Sequence, residues 1–376
     1  MKYDLIIESR PSEVVIALLR DGLLIELHKE KHDNNFSAGD IYLGKVRKTN
    51  PGLNASFVNV GYEKDGFLHY LDLGPQFHSY KKFTRQAIDN KLNTASLKNF
   101  KKEAVLNKEG TINDALKGGD TILTQISKEP ISTKGPRLTT EISIAGRFMI
   151  LIPFSDKVSI SQKIENHEEQ KRLKKLIRSI KPHGFGVIIR TVAIGKKVAE
   201  LDKDLKNLYK KWQVICKNLK NAKQNTRIHG ELNKTSVILR DLLNEKFNKI
   251  YVNNTELQIE LQEYLSKIAP EKEKIVKLHK KNTPIFQEFN ITKQIKGAFG
   301  KHVTMKKGTY LVIEHTEALH VIDVNSGKKV DAKKDQEENA LTVNLEAAEE
   351  VARQLRLRDM GGIIVVDFID MKKEKN

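Results

Sequence analysis

The most constraining feature of the sequence is a strand, helix and apolar strand near its end. The predicted helix covers residues 340–358, and its apolar residues share one stripe: Leu341, Leu345, Ala348, Ala352 and Leu355. Gly361 follows as a stop signal, and residues 363–366 then form an uninterrupted Ile-Ile-Val-Val run. Two strands are predicted before the helix, over 309–314 and 318–324. This order is typical of a βαβ unit whose last strand is parallel and buried.

Polar side chains lie at the ends of both strands of this unit. Asp323 and Asn325 share one face of the first strand, and Asp367 directly follows the apolar run. If the helix is a crossover, both aspartates lie at the carboxyl ends of parallel strands, where α/β sheets place their ligands. Two converging carboxylates need a cation between them, and oxygen ligands suit Mg²⁺, which assists phosphodiester hydrolysis. The alternative is that both aspartates are ordinary turn-forming residues.

Short strands separated by turns predict a compact barrel from residue 38 onward. The strands lie in the segments IYLGKV, NPGLNASFVNVG and DGFLHYLDLG. Phe57 and Phe67 fall on the polar faces of neighbouring strands, where exposed rings could stack on unpaired bases. Lys134 could hold the nucleic-acid backbone nearby. The alternative is that both phenylalanines fill the barrel.

The remaining segments alternate strands and helices. Residues 3–8 predict a strand, and Asp21-Gly22 predicts a hairpin between residues 14–19 and 23–27. A lysine-rich, weakly periodic stretch at 76–117 interrupts the barrel and predicts a mobile loop or loose helix. A helix with one apolar stripe is predicted from the spacing of Leu201, Leu205, Leu208, Trp212, Ile215 and Leu219. Residues 236–269 predict a helix, a strand and a second helix.

The charge of the chain points to a polyanionic partner. Its 376 residues include 66 Lys and Arg against 48 Asp and Glu, a formal net charge of +18, so RNA or DNA is the first candidate. A single cysteine, Cys216, excludes a disulfide framework and a zinc site built from cysteine pairs. Apolar runs are too short to span a membrane, and the N-terminus lacks a signal-peptide core. We therefore expect a soluble cytoplasmic protein.

A possible phosphate contact lies in the segment GVIIRT (186–191). Arg190 and Thr191 end an apolar strand and offer a planar fork beside a hydroxyl, which suits a terminal phosphate. The alternative is an ordinary surface arginine after a strand.

Together these segments resemble the ribonuclease E/G family of endoribonucleases. The resemblance covers nearly all of the chain and is most specific over 316–371. It rests on the following segments: FVNVGYEKDGFL (57–68), STKGPRLTTEISIAGRF (132–148), GVIIRT (186–191), TEALHVIDVNSGK (316–328) and NLEAAEEVARQLRLRDMGGIIVVDFIDM (344–371).

The resemblance implies a multi-subdomain fold of the α+β and α/β classes, with nested parts. An RNase H-like subdomain is interrupted by an OB-fold barrel of the ribosomal-protein S-one type and by a 5′-sensor subdomain. A DNase I-like subdomain, incomplete here, follows. The expected boundaries are 1–37 (RNase H-like, first part), 38–131 (barrel, with the insertion at 76–117), 132–236 (5′ sensor), 237–298 (RNase H-like, second part) and 299–376 (DNase I-like).

The resemblance also implies a role for each candidate residue. Asp323 and Asp367 match magnesium-binding catalytic aspartates, and Asn325 matches an asparagine that supports their site. The positions that match RNA contacts of the barrel are Phe57, Phe67 and Lys134. The positions that match the pocket for a 5′-monophosphate are Arg190, Thr191, Gly146 and Ile150.

The implied activity is Mg²⁺-dependent cleavage of single-stranded, AU-rich RNA with a preference for 5′-monophosphorylated ends. The implied setting is rRNA processing and mRNA decay in the cytoplasm. Two alternatives stay open: a noncatalytic RNA-binding protein, and a ribosome-assembly factor that binds structured rRNA.

The sequence departs from the family at its end. Members of the family continue past this point into the rest of the catalytic subdomain, a further sensor arginine, a zinc link made by cysteine pairs and a small dimerisation domain. We therefore expect a C-terminally truncated member that lacks the structural zinc and the zinc-linked homo-oligomer.

Overall fold

A computed structural model of the chain describes residues 2–31, 35–91, 95–231, 233–243, 246–305, 308–327 and 335–376. The last residue of the 316–328 segment and residues 92–94 of the predicted insertion lie outside this description. The chain divides into two compact units, Asp33–Leu242 and Met1–His32 together with Leu243–Asn376. No helix within the described residues is long and apolar enough to cross a membrane.

The elements are numbered along the chain. The strands are β1 (Tyr3–Ser9), β2 (Glu13–Arg20), β3 (Leu23–Lys31), β4 (Ile41–Asn50), β5 (Ala55–Asn59), β6 (Gly66–His69), β7 (Thr121–Lys128), β8 (Arg137–Thr139), β9 (Ile144–Ala145), β10 (Met149–Pro153), β11 (Val158–Ile160), β12 (Phe185–Ile189), β13 (Thr226–His229), β14 (Phe247–Val252), β15 (Val276–Leu278), β16 (His302–Thr304), β17 (Tyr310–His315), β18 (Leu319–Asn325) and β19 (Ile363–Asp367). The helices are α1 (Phe77–Ile88), α2 (Ile112–Ala115), α3 (His167–Ile180), α4 (Val198–Lys220), α5 (Lys234–Leu242), α6 (Thr255–Ile268), α7 (Ile285–Glu288), α8 (Ile291–Ala298) and α9 (Gln336–Leu357).

In the unit Asp33–Leu242, five strands close into a barrel. The order β4-β5-β6-β8-β7 returns to β4 through a direct β4–β7 pairing, so the ring has no free edge. Side chains alternate between the two faces of β5 and β6, so Val58 and Leu68 point into the barrel. They pack there with Val46 and Ile122. The predicted barrel is confirmed, and its closed five-stranded form agrees with an OB fold.

Beside the barrel, a second sheet packs against helices in the same unit. Its strand order is β11-β12-β10-β9, and β10 and β12 are antiparallel. Helix α4 buries the whole predicted stripe from Leu201 to Leu219, including Trp212. Its indole Nε1 donates a hydrogen bond to the carbonyl of Ala95 at 2.9 Å.

The prediction of a mobile loop or loose helix after residue 76 is wrong for α1. This helix buries Phe77, Tyr80, Phe83 and Ala87, whose spacing gives one apolar face. Phe83 packs against Trp212, with ring centroids 5.4 Å apart. The lysines of α1 are Lys81 and Lys82, and the other lysines of the segment follow the helix, so the composition of the whole segment hides this stripe.

The other unit contains a five-stranded sheet of order β15-β14-β1-β2-β3. Strands β1, β14 and β15 are parallel, whereas β1, β2 and β3 form antiparallel pairs. The predicted hairpin is confirmed: Arg20 pairs with Leu23, and Asp21 and Gly22 both adopt positive φ angles of 49° and 81°. Both central residues of a type I′ turn require such angles, which explains the Asp-Gly pair.

The same unit contains the predicted βαβ element in a sheet of order β16-β17-β18-β19. Strands β18 and β19 are parallel, and α9 connects them. The core between sheet and helix includes Leu311, Ile313, Ile322, Ala347 and Val351.

Two details of this element differ from prediction. The buried face of α9 is displaced by one residue from the predicted stripe: Leu345 is 62% exposed, whereas Asn344 is only 6% exposed. Two hydrogen bonds with the backbone of Ile369 offset the cost of burying the Asn344 side chain. The strand β19 is buried on one face and not on both: Ile364 and Val366 pack against the core beneath α9, whereas Ile363 and Val365 lie on the opposite face and are exposed.

Candidate functional site

The predicted site residues fall into three groups. The first consists of Asp323, Asn325 and Asp367. Strands β18 and β19 run parallel in a register that pairs Asp323 with Asp367, and neighbouring strands lie about 4.8 Å apart. Asn325 donates from Nδ2 to Oδ2 of Asp323 at 2.7 Å. The structure thus brings together the three residues that the strand ends predicted.

Strand alternation explains why these side chains face outward. Ile322 and Val324 point into the core beneath α9, so Asp323 between them points to the opposite face. Val366 packs against the same core, so Asp367, the next residue of β19, also points to the opposite face. Both carboxylates are exposed and therefore accessible to a large ligand.

The donor set of this group fits a hard divalent cation. Two carboxylates lie side by side, and the side-chain oxygen of Asn325 stays available while its nitrogen holds Asp323. Neither aspartate forms an ion pair with a residue of the described ranges, so both carboxylates are available to a cation. Mg²⁺ prefers one or two carboxylates and keeps several waters. Nowhere in the described part of the chain do three or more His, Cys, Asp or Glu side chains form a group able to hold a metal.

The second group is an aromatic pair on the outside of the barrel. Phe57 and Phe67 are directly paired across β5 and β6, and their half-exposed rings meet edge to face with centroids 6.0 Å apart. The alternative, that both rings fill the barrel, is therefore wrong. Nζ of Lys48 lies 5.3 Å from the centroid of Phe57, within the range of a cation–π interaction.

Lys134 lies at the start of the segment that flanks this pair. It is exposed in a tight turn, where its backbone nitrogen donates to the carbonyl of Ile131 at 3.0 Å. Two residues later, the carbonyl of Pro136 accepts a hydrogen bond from the nitrogen of Phe67 at 2.8 Å. The backbone after Lys134 thus runs alongside the strand that carries Phe67.

The third group surrounds Arg190. Its Nη1 donates to the carbonyl of Gly146 at 2.9 Å and to Oδ1 of Asp241 at 2.7 Å. Thr191 follows in a short 3₁₀ turn and is half-buried. Ile150 lies on β10, paired with β12, which leads directly to Arg190. The four predicted residues therefore converge on one region, and Arg190 contacts Gly146 directly.

A buried carboxylate shapes the turn that contains Gly146. Asp204 of α4 accepts hydrogen bonds from the backbone nitrogens of Arg147 at 3.3 Å and Phe148 at 2.9 Å. A Cβ at position 146 would lie 2.8 Å from Oδ2 of Asp204, so only glycine allows this approach. Burial raises the pKa of Asp204, although these backbone donors oppose the shift. Lys211 lies nearby, and burial lowers its pKa.

Sequence reasoning missed two functional candidates. Lys48 was hidden because its role depends on the cross-strand pairing with Phe57. Asp241 was hidden because it comes from a distant helix, α5, 51 positions after Arg190. A signal for it exists in the sequence: the charged pair Arg240-Asp241 interrupts an otherwise apolar helical run, and buried charges require partners.

Comparison with known proteins places the chain among RNA-cleaving enzymes. The Ribonuclease E/G family matches residues 143–376. Ribonuclease G of Escherichia coli (strain K12) is 32% identical over 379 residues, covering 100% of this chain and 72% of the relative. Ribonuclease G of Haemophilus influenzae is 33% identical, and the match covers 99% of this chain and 72% of the relative. Ribonuclease E of the same organism is 34% identical, and the match covers 99% of this chain and 37% of the relative. The chain belongs to the Ribonuclease E/G family.

Proposed function

We propose that this chain is an endoribonuclease that hydrolyses single-stranded, AU-rich RNA in an Mg²⁺-dependent reaction and prefers 5′-monophosphorylated ends. RNA processing and mRNA decay in the cytoplasm are the proposed setting. Family membership supports the endoribonuclease activity. The observation that carries the proposed Mg²⁺-dependent hydrolysis is the in-register pair of Asp323 and Asp367 with Asn325 beside it.

In this proposal Asp323 and Asp367 hold the magnesium ion. When bound, it polarises a phosphoryl oxygen of the RNA and lowers the pKa of a coordinated water. Asn325 fixes the orientation of Asp323 through its 2.7 Å hydrogen bond, so this carboxylate is oriented before the cation arrives. Both carboxylates are exposed, which leaves room for the phosphodiester.

The barrel supports a single-stranded substrate. Bases stack on exposed aromatic rings only where they are unpaired, and Phe57 and Phe67 present such rings. Lys48 and Lys134 add positive charge for the RNA backbone. The excess of 66 basic over 48 acidic residues acts in the same direction.

A 5′-monophosphate is proposed to bind at Arg190, Thr191, Gly146 and Ile150. A guanidinium and a hydroxyl are suitable donors to phosphate oxygens. We also propose, from the family, that the sheet β15-β14-β1-β2-β3 belongs to an RNase H-like subdomain. The sheet β16-β17-β18-β19 is proposed to belong to a DNase I-like subdomain.

The test is cleavage of a fluorescent, AU-rich, 5′-monophosphorylated oligonucleotide in the presence of Mg²⁺. Internal cuts are expected with the wild-type chain and are expected to vanish in Asp323→Asn and after addition of EDTA. Asp202→Asn is the matched control, because Asp202 is paired with Lys206 on the surface of α4. Cuts that persist in Asp323→Asn would refute the assigned site. Salt-dependent RNA binding without cuts by the wild-type chain would favour the noncatalytic alternative.

A further inference from the structure

Arg190 is held through one of its three nitrogens. Nη1 donates both to the carbonyl of Gly146 and to Asp241. In the part of the chain that the structure describes, these are its side-chain hydrogen bonds, which leave the Nε and Nη2 edge for a ligand. A guanidinium grips a phosphate with two parallel N–H donors from one edge. The contact with Asp241 thus orients Arg190 without occupying that edge.

Asp241 is shared between two arginines. Its Oδ1 also accepts from Nε of Arg240 at 2.8 Å, and Nη1 of Arg240 donates to Glu231 at 2.9 Å. The side chain of Arg240 is 8% exposed, whereas Asp241 is 32% exposed and Arg190 is 20% exposed. These hydrogen bonds connect groups of alternating charge, from Arg190 through Asp241 and Arg240 to Glu231, and the series is more exposed at Arg190 and Asp241 than at Arg240.

The carboxylate is ionised at neutral pH. Burial raises the pKa of Asp241, but the hydrogen bonds and charges of Arg190 and Arg240 outweigh this effect and leave the pKa below its usual value. Asp204 and Lys211 supply one further group of each sign nearby. Arg147 and Lys196 add positive charge over the ring of Phe148, next to the turn of Gly146, and Lys196 is paired with Glu200. Asp241 is the negative group that contacts the guanidinium of Arg190 directly.

We propose that Asp241 is a specificity-determining residue of this pocket, an inference that rests on the proposed binding of a 5′-monophosphate at Arg190. It orients the guanidinium edge and places a negative charge beside it. One terminal phosphate gains two directed hydrogen bonds. A triphosphate brings additional negative charge close to the carboxylate of Asp241, which repels it. Placing like charges against the wrong ligand is a general route to discrimination.

The experiment measures binding of short RNAs of one sequence that carry a 5′-hydroxyl, a 5′-monophosphate or a 5′-triphosphate. Affinities are measured in EDTA, which separates binding from cleavage. The variants are Asp241→Asn, which keeps an oxygen acceptor for Arg190, and Asp241→Glu, which keeps the charge. Arg190→Gln removes the proposed phosphate contact, and Asp202→Asn is a surface control on α4. Thermal unfolding of each variant identifies any loss of folding.

The wild-type chain is expected to prefer the monophosphate over both other ends. In Asp241→Asn the monophosphate-to-triphosphate affinity ratio is expected to fall several-fold, and in Asp241→Glu it is expected to stay near the wild-type value. A folded Asp241→Asn variant with the wild-type ratio would overturn the inference. If the wild-type chain does not distinguish monophosphate from hydroxyl, or Arg190→Gln retains that distinction, the proposed 5′-end binding fails instead.

Discussion

Asn344 and Ile369 exchange two hydrogen bonds between α9 and the segment that follows β19. Nδ2 of Asn344 donates to the carbonyl of Ile369 at 2.8 Å, and the nitrogen of Ile369 donates to Oδ1 of Asn344 at 3.0 Å. The side-chain amide of Asn344 thus binds the two backbone groups of Ile369 that a neighbouring strand would otherwise bind. It ties the crossover helix to the strand end that carries a proposed metal ligand.

Because of this pair, replacing the polar Asn344 should destabilise the chain more than replacing the apolar Leu345 beside it. Asn344→Ala leaves two backbone groups of a half-buried segment unpaired and should cost about 1–3 kcal/mol of the free energy of unfolding. Leu345→Ala should change it by less than about 0.5 kcal/mol, because Leu345 is largely exposed. Urea unfolding of both variants measures the difference. A larger loss for Leu345→Ala would show that the apolar stripe, and not the observed face, is buried.

The same helix shows what the sequence can and cannot predict. Its existence, its C-terminal end and the parallel strands on either side follow from local patterns of apolar residues and glycine. Its start did not follow, because the helix begins at Gln336, four residues before the predicted start at residue 340. The buried face did not follow, because Asn344 and Gln354 lie on it and are compensated by hydrogen bonds that only the folded chain supplies. Asp241 was missed for a related reason: the partner of Arg190 is set by tertiary contacts.

Helix α1 should be essential for the unit Asp33–Leu242. Phe83 is buried against Trp212, Phe154 and Phe100. Phe83→Ala should therefore destabilise this unit by about 3–5 kcal/mol. Ile88→Ala, at the more exposed end of the same helix, is the control. Equal stability of the two variants would support the loose segment that composition suggested.

Cys216 should be unreactive in the folded chain. Burial in α4 raises the pKa of its thiol to about 12, so the reactive thiolate is scarce at pH 8. Ellman's reagent should modify one thiol after unfolding and almost none before. The pKa of a thiol in the unfolded chain is about 8.5. Between about pH 8.5 and about pH 12 the unfolded chain therefore binds fewer protons than the folded chain. The contribution of Cys216 to the free energy of unfolding should fall as the pH rises above about 9. Cys216→Ala should remove that contribution, and rapid labelling of the native chain would contradict the prediction.

Asn325 should act through Asp323. Asn325→Ala removes the 2.7 Å hydrogen bond and frees the carboxylate to rotate, which should raise the Mg²⁺ concentration needed for half-maximal cleavage by about 10–100-fold. High Mg²⁺ should then restore much of the rate, whereas Asp323→Asn should not be rescued. Titration of cleavage with Mg²⁺ distinguishes the two variants. An Asn325→Ala variant with a normal Mg²⁺ requirement would show that the hydrogen bond is unimportant for the metal.

The aromatic pair should bind RNA as a unit. Phe57→Ala and Phe67→Ala should each weaken binding of single-stranded RNA by about 1–3 kcal/mol. Because the two rings contact each other at 6.0 Å, each also supports the position of the other, and the double variant should lose less than the sum of the single losses. Leu53→Ala is a suitable control, since Leu53 is exposed in the turn between β4 and β5. Fluorescence anisotropy at fixed salt measures the affinities of the wild-type chain and the four variants. The salt is kept fixed because the electrostatic part of binding varies with it. Strictly additive losses would mean that the rings bind separate bases independently, and losses no larger than that of Leu53→Ala would remove the barrel face from the RNA path.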